Sequence, residues 1–268
     1  MWRKKMVNLI LNRPKVHLIV PDSHAHPDFN NDRADWLGGL IKDIKPDVVI
    51  NIGDAADMAS MSSFDKGKAS FAARSYEKDI MSHLDFQERM WKPLKKGKKK
   101  KPHRVVLEGN HEYRVKKALE YSPELAGDRF GISFRDFDFN HYYNEVVEYE
   151  GQTPGIIDVD GISYAHYFVS GLMGRPIGGI HHASSLIAKN MTSSVCGHSH
   201  TADWSVRTQP DGTKIMGLVC GVYQDYRSGW AGHVNDLWWK GAVVLRGVEE
   251  GHFDPEFISM DRMKREYE

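Results

Sequence analysis

Val48-Val49-Ile50-Asn51-Ile52-Gly53-Asp54-Ala55-Ala56-Asp57 is a β-branched apolar run that stops at a glycine and delivers two carboxylates. Its composition predicts a strand over 48–52 with Asp54 and Asp57 in the turn beyond it. Upstream, 34–44 places Leu37, Leu40, Ile41 and Ile44 at helical spacing, and Pro46 stops that helix. Before it, 16–20 is another apolar run, leading into Asp22-Ser23-His24. Strand, helix and strand in this order read as a βαβ unit with parallel pairing. In open α/β sheets ligands collect at the carboxyl ends of the strands, where these polar residues fall.

Three further segments repeat the pattern or add to it. The run 105–107 leads into Gly109-Asn110-His111-Glu112, the strand-like Gly161-Ile162-Ser163-Tyr164-Ala165 delivers His166, and Gly197-His198-Ser199-His200 follows. Carboxylate, amide and imidazole groups in this mixture suit a pair of divalent cations. Two such ions about 3.5 to 4 Å apart need a bridging carboxylate to offset their repulsion, and Asp54 is the natural bridge. Mixed nitrogen and oxygen donors favour Mn, Fe or Zn over Ca. His166 is preferred over His181-His182, which opens a helical stretch; the alternative for His166 is a satisfied, partly buried side chain.

Taken in order, these blocks resemble the calcineurin-like metallophosphoesterase superfamily, whose signature runs D-x-H, GD-x-x-D, GNH-[ED], a lone His and GH-x-H. The resemblance spans about 16–200. It implies a single α/β domain over 1–268, a four-layer α/β/β/α sandwich of two mixed sheets, with 130–150 as a cap or rim insertion. It implies one metal on Asp22, His24, Asp54 and His200, and a second on Asp54, Asn110, His166 and His198. The cofactors would be two divalent ions, Mn first, with Fe, Zn, Ni or Mg as alternatives. The expected reaction is phosphoester hydrolysis by in-line attack of a metal-bridging hydroxide, with His111 protonating the leaving oxygen. Asp57 and Glu112 would orient His111 and the ligand cluster; for Glu112 a surface carboxylate or helix cap is an equal alternative. Asn110, His111 and Arg114 are the substrate-binding candidates.

The chain departs from the protein Ser/Thr phosphatase branch, which writes GD-x-x-DRG and LRGNHE. Here Met58 and Glu108 stand where those arginines would be. A phosphoprotein substrate is disfavoured, and the smaller bacterial and phage-type phosphodiesterases and nucleases are nearer. A DNA or RNA phosphodiester leads, a nucleotide or small phosphomonoester is the alternative, and an inactive phosphate-recognising scaffold is a third reading. Arg114 is the remaining candidate grip on phosphate, against an ordinary ion-paired arginine.

Composition fits one globular enzyme of 268 residues, 41% apolar and 27% charged. Lys+Arg and Asp+Glu are both 36, so no global charge announces a nucleic acid or a membrane surface. Lys95-Lys96-Gly97-Lys98-Lys99-Lys100-Lys101 is foremost a solvated loop and otherwise a polyanion contact. Cys196 and Cys220 are too few for a disulfide framework and read as buried thiols. No signal peptide or membrane span is recognised, so an intracellular location is expected. Elsewhere the sequence predicts a helix over 72–94 burying Ile80, Met81, Leu84, Trp91 and Leu94, and a helix over 113–121. The aromatics of 130–149 (Phe134, Phe137, Phe139, Tyr142, Tyr143) are either a base-stacking rim or core. A flexible loop is predicted over 171–179, strands over 215–222 and 242–248, and a fraying charged end over 261–268.

Overall fold

The computed structural model describes residues 14–95, 101–127 and 131–268. Strand β1 (Lys15–Val20) and β2 (Val48–Asn51) flank helix α1 (Asp32–Ile44) and pair in parallel, with Leu18 opposite Val49 and Val20 opposite Asn51. The helix stops at Lys45 in the left-handed region, just ahead of Pro46. Next comes α2 (Tyr76–Trp91), whose N-cap Ser75 side chain accepts from the Lys78 N–H. Then β3 (His103–Leu107), α3 (Asn110–Tyr121), the one-turn α4 (Phe139–Tyr142) and β4 (Glu145–Val147) follow. The second half holds β5 (Ile157–Val159), β6 (Ile162–Tyr164), β7 (Val169–Ser170), β8 (Arg175–Pro176), α5 (His182–Asn190) and β9 (Ser194–Cys196). It closes with β10 (Ala202–Thr208), β11 (Lys214–Cys220), β12 (Gly241–Glu249), β13 (His252–Ser259) and α6 (Met260–Tyr267).

Two mixed sheets result, ordered β13-β12-β1-β2-β3-β4 and β10-β11-β9-β6-β5. In the first, β1 to β4 run parallel, β12 pairs antiparallel with β1 and β13 antiparallel with β12; in the second, β6, β9 and β11 run parallel. The apolar strands are buried on both faces, and the period of two sorts their residues between two cores. Leu18, Val20, Val49, Val106 and Val244 pack with Leu37, Ile41, Phe86, Trp91 and Met263 from the helices. Their neighbours Ile19, Ile50, Val105 and Leu245 pack instead with Tyr164, Val195 and Leu218 of the second sheet. Ala183 and Leu186 of α5 cover that sheet's Val219 and Cys196. Both cysteines are free and buried. Among the described residues no helix is long and apolar enough to cross a membrane.

Several expectations need correction. Helix α2 buries Ile80, His83, Phe86, Gln87, Met90 and Trp91, while Met81 is 62% exposed, so its inner face is rotated from the one read off the sequence. Of the rim and core alternatives for the aromatics of 130–149, core holds: Phe137, Phe139, Tyr142 and Tyr143 are buried in the helix-side core, and β4 behind them is a strand of the main sheet. The charged end does not fray within the helix. Met260 and Met263 are buried, and the Tyr267 ring fills the space where a Cβ on Gly39 would sit, 2.5 Å away. The glycine-rich stretch forms the β7–β8 hairpin. Of the lysine run, 96–100 lies outside the described residues. Of its flanks, Lys95 pairs with Glu88 at 2.5 Å, and the exposed Lys101 precedes the start of β3, the end remote from Asn110 and His111.

Candidate metal centre

Every block of the sequence pattern emerges at a strand's carboxyl end. Asp22 and His24 follow β1, Asp54 and Asp57 follow β2, Asn110 and His111 follow β3, His166 follows β6, and His198 and His200 follow β9. Backbone hydrogen bonds tie these turns together: His24 N–H to Asp54 O at 2.9 Å, Ala25 N–H to Ala55 O at 2.9 Å, and Gly197 N–H to His166 O at 3.0 Å. Further contacts cross between the sheets. The Asp22 carboxylate accepts from the His198 N–H at 2.9 Å, and His166 Nδ1 donates to Ile52 O at 3.1 Å.

Four of these residues hold left-handed backbone, His24 (φ 41°), Asp54 (φ 48°), His198 (φ 66°) and His200 (φ 60°). Outside glycine that conformation costs about 1 kcal/mol each, and such strain gathers where side chains must be aimed. Glycines make the close approach feasible. A Cβ on Gly109 would lie 2.1 Å from Asp54 N, and one on Gly197 would lie 2.3 Å from Asp22 Oδ1.

The donors fall into two groups able to hold a cation, Asp22–His24–His200 and Asp54–His166–His198, plus a third made of His24, Asp57 and His111. In the first, His24 Nε2 and His200 Nε2 face each other at 3.1 Å, and His200 Nε2 is 3.2 Å from Asp22 Oδ2. In the second, His166 Nε2 is 3.3 Å from Asp54 Oδ2, 3.3 Å from His198 Nδ1 and 3.0 Å from Asn110 Oδ1. Ligands about 2.0 to 2.2 Å from one ion stand roughly 3 to 3.5 Å apart, so each group could hold a metal ion. Asp22 Oδ1 is buried and has no hydrogen-bond partner among the described residues, as a waiting ligand would be. The Nδ1–H bond to Ile52 O also leaves His166 Nε2 as its ligand atom.

Charges balance accordingly. Burial works against ionisation of Asp54, but His111, His166 and His24 around it outweigh burial and hold its carboxyl well below the ordinary range. Asp22 is lowered too, its burial being overcome by His166 and His200. For His166, burial is overcome by Asp54 and Asp22, which push it up to about 9. Burial and the neighbouring His166 push His198 down to about 4. Without metal, a proton on His166 supplies the positive charge that the carboxylates require.

Residues around the ligands have distinct tasks. His111 Nδ1 donates to Asp57 O at 2.5 Å, and its Nε2 accepts from Arg114 Nη2 at 2.9 Å. Arg114 also donates from Nη1 to Asp57 O and Met58 O, so it braces His111 against the turn after β2. Asp57 Oδ1 lies 3.3 Å from His24 Nδ1 and 3.4 Å from His111 Nδ1, between the two rings. Burial opposes its ionisation, but His111 and His24 hold Asp57 well below the ordinary range. Glu112 takes the helix-cap alternative and also holds the turn that carries Asp54. Its carboxylate accepts the N–H groups of Gly109 (2.9 Å), Asp54 (3.0 Å) and Ala56 (2.9 Å), so it staples the β2 and β3 turns. Burial and Asp54 raise its carboxyl to about 7.

Other neighbours were not anticipated. His26 Nε2 lies 3.7 Å from Asp57 Oδ2, a position hinted at by the alternation Asp22-x-His24-x-His26. The Tyr226 hydroxyl donates to His24 O at 2.6 Å, and Trp238 and Tyr167 meet the His200 and His198 rings at 4.3 and 4.7 Å. No spacing in the sequence foretells these contacts. His182 begins α5 as expected and bonds Ser199 Oγ at 3.2 Å, outside the donor groups. Asp225 lies 3.4 Å from Arg33 Nη1, and His233 is exposed.

No protein-family model and no curated protein matches the chain. Among solved structures, one crystal structure is 12% identical over 92% of this chain and 100% of its own, with a TM-score of 0.37. The protein TT1561 of Thermus thermophilus is 9% identical, over 91% of this chain and 99% of its own, also with a TM-score of 0.37. Likeness of that degree carries no argument, and the reading of this site stands on its own donors.

Proposed function

We propose that the chain is a metallophosphoesterase of the calcineurin-like type, built as a four-layer α/β/β/α sandwich and hydrolysing phosphoesters with two divalent cations. One observation carries this reading. Asp54 Oδ2 lies 3.3 Å from His166 Nε2 and 3.9 Å from His24 Nε2, so a single carboxylate oxygen sits between the two donor groups, where a bridge belongs. Asp22, His24, Asp54 and His200 would hold one ion, and Asp54, Asn110, His166 and His198 the other. When bound, such a pair supplies Lewis acidity toward a phosphoryl group and toward water.

The protein's own groups do the rest. His111, its Nδ1 proton committed to Asp57 O, presents Nε2 as the atom that exchanges a proton with the leaving oxygen. Binding of a phosphoryl oxygen there exchanges the Arg114 contact for one to the substrate and turns the guanidinium toward the anion. Asp57 and the left-handed turns keep His24 and His111 aimed. A phosphodiester, including a nucleic-acid strand, leads over small monoesters because neither arginine of the phosphoprotein branch is present.

The test is to strip the protein of metal and add back Mn²⁺, Zn²⁺, Ni²⁺ or Mg²⁺. A generic phosphodiester, a phosphomonoester, single-stranded DNA and nucleotides are then assayed. Metal-dependent turnover of at least one class is expected. No turnover of any ester with any ion, in protein that has bound the ions, would leave a metal-binding scaffold in its place.

A further inference from the structure

On its His24–His200 side the centre is walled by rings that the proposed chemistry does not use. Trp238 meets His200 edge-on with centroids 4.3 Å apart, and Trp230 follows at 5.8 Å, tilted by 53°. Phe29 stacks on Tyr226 at 3.8 Å beside them. Trp230 is 71% exposed. Large apolar surface left in water beside a polar site marks a place where something binds.

The segment carrying these rings is braced. Asn235 Nδ2 donates to Ser228 O and Gly232 O, Asn235 Oδ1 accepts from Ser228 N–H, and Gln224 Nε2 donates to Ser228 Oγ. The nearby cations are already engaged, Arg227 by Asp236 and Lys240 Nζ by Tyr226 O. A held π-face whose nearby cations already have partners suits a neutral planar group and has much of its ordering cost met in advance.

We infer that Trp230 and Trp238 form a stacking platform for the nucleobase of a nucleoside-bearing phosphoester whose phosphate lies at the metal centre. The inference rests on the phosphoester reading above. Two ring contacts separate Trp230 from a metal-site imidazole, the kind of gap a sugar places between phosphate and base. An alkyl chain is the rival occupant, because Leu237 on the same segment is 69% exposed.

Equilibrium binding to the metal-loaded full chain tests this, independently of turnover. The probes are thymidine 5′-monophosphate, deoxyribose 5-phosphate and n-octyl phosphate, against wild type, Trp230→Ala and Trp230→Phe. Base stacking should make the nucleotide bind roughly ten-fold tighter than the sugar phosphate. Trp230→Ala should erase that preference, and Trp230→Phe should keep most of it. The platform is overturned if wild type shows no preference, if Trp230→Ala retains it, or if octyl phosphate gains the same Trp230-dependent affinity. Base preference without hydrolysis of any ester would remove the phosphoesterase reading and leave the platform; hydrolysis without base preference would do the reverse.

Discussion

The buried carboxylate of Glu112 accepts the backbone N–H of Asp54 at 3.0 Å, so the residue proposed as the bridge is aimed by a side chain 58 positions further along the chain. The same carboxylate satisfies Gly109 and Ala56. Glu112→Ala would strand three buried donors, each costing about 1 to 3 kcal/mol. A loss of at least about 3 kcal/mol in urea unfolding is expected, together with weakened metal binding. A variant as stable as wild type would show that water or a shifted backbone replaces the staple.

Gly109 and Gly197 are needed for space rather than for turning. Gly109→Ala pushes a methyl group to within 2.2 Å of Asp54 Oδ1, and Gly197→Ala to 2.3 Å of Asp22 Oδ1. Each should weaken metal binding at least ten-fold by displacing a carboxylate, measured by titration calorimetry on folded protein. Unchanged affinity in either would mean that the turns yield more easily than their packing implies.

His111 lies outside the Asp22–His24–His200 and Asp54–His166–His198 groups, its Nδ1 bonded to Asp57 O and its Nε2 to Arg114. His111→Ala should therefore keep both metals and slow hydrolysis by about 10²-fold or more, with esters of poor leaving groups suffering most. Equal slowing of activated and unactivated esters, or loss of metal, would remove it as the leaving-group acid.

His83 lies away from the centre, edge-on to Phe137 and Phe139, with its Nε2 bonded to Phe137 O at 3.2 Å. Burial pushes it down to about 4 from 6.5. The unfolded chain thus binds the extra proton first. Its contribution to stability is complete above pH 6.5 and falls away as the pH drops toward 4, by up to about 3 kcal/mol. His83→Gln should flatten the stability profile across that window relative to wild type. An identical pH slope in the two proteins would show that His83 is protonated in the fold.

Much of this was legible in the sequence because it is local. The apolar runs 16–20 and 48–52, the helical spacing of 34–44 and the position of Pro46 yield the first parallel pair, and glycine–carboxylate and glycine–histidine pairs at strand ends mark the donors. What escaped depends on the third dimension. Glu112 sits in a helix's first turn, where its three N–H partners cannot be told from a surface carboxylate. Helix α3 starts at Asn110 rather than Tyr113 because that staple and the Gly109 turn nucleate it earlier than its apolar spacing shows. Aromatics carry no direction in sequence, so Phe137 and Tyr143 went unplaced between core and rim, and Trp230 and Trp238 beside the centre had no signal at all.

The shared role of Asp54 is tested most directly by titrating metal-stripped wild type and Asp54→Asn with Mn²⁺ and counting bound ions. Two ions per chain are expected in wild type, and at least ten-fold weaker binding of both in Asp54→Asn, since losing the bridge leaves the cations' repulsion unopposed. One ion or none in saturated wild type, or two bound with unchanged affinity by Asp54→Asn, would contradict a carboxylate-bridged pair.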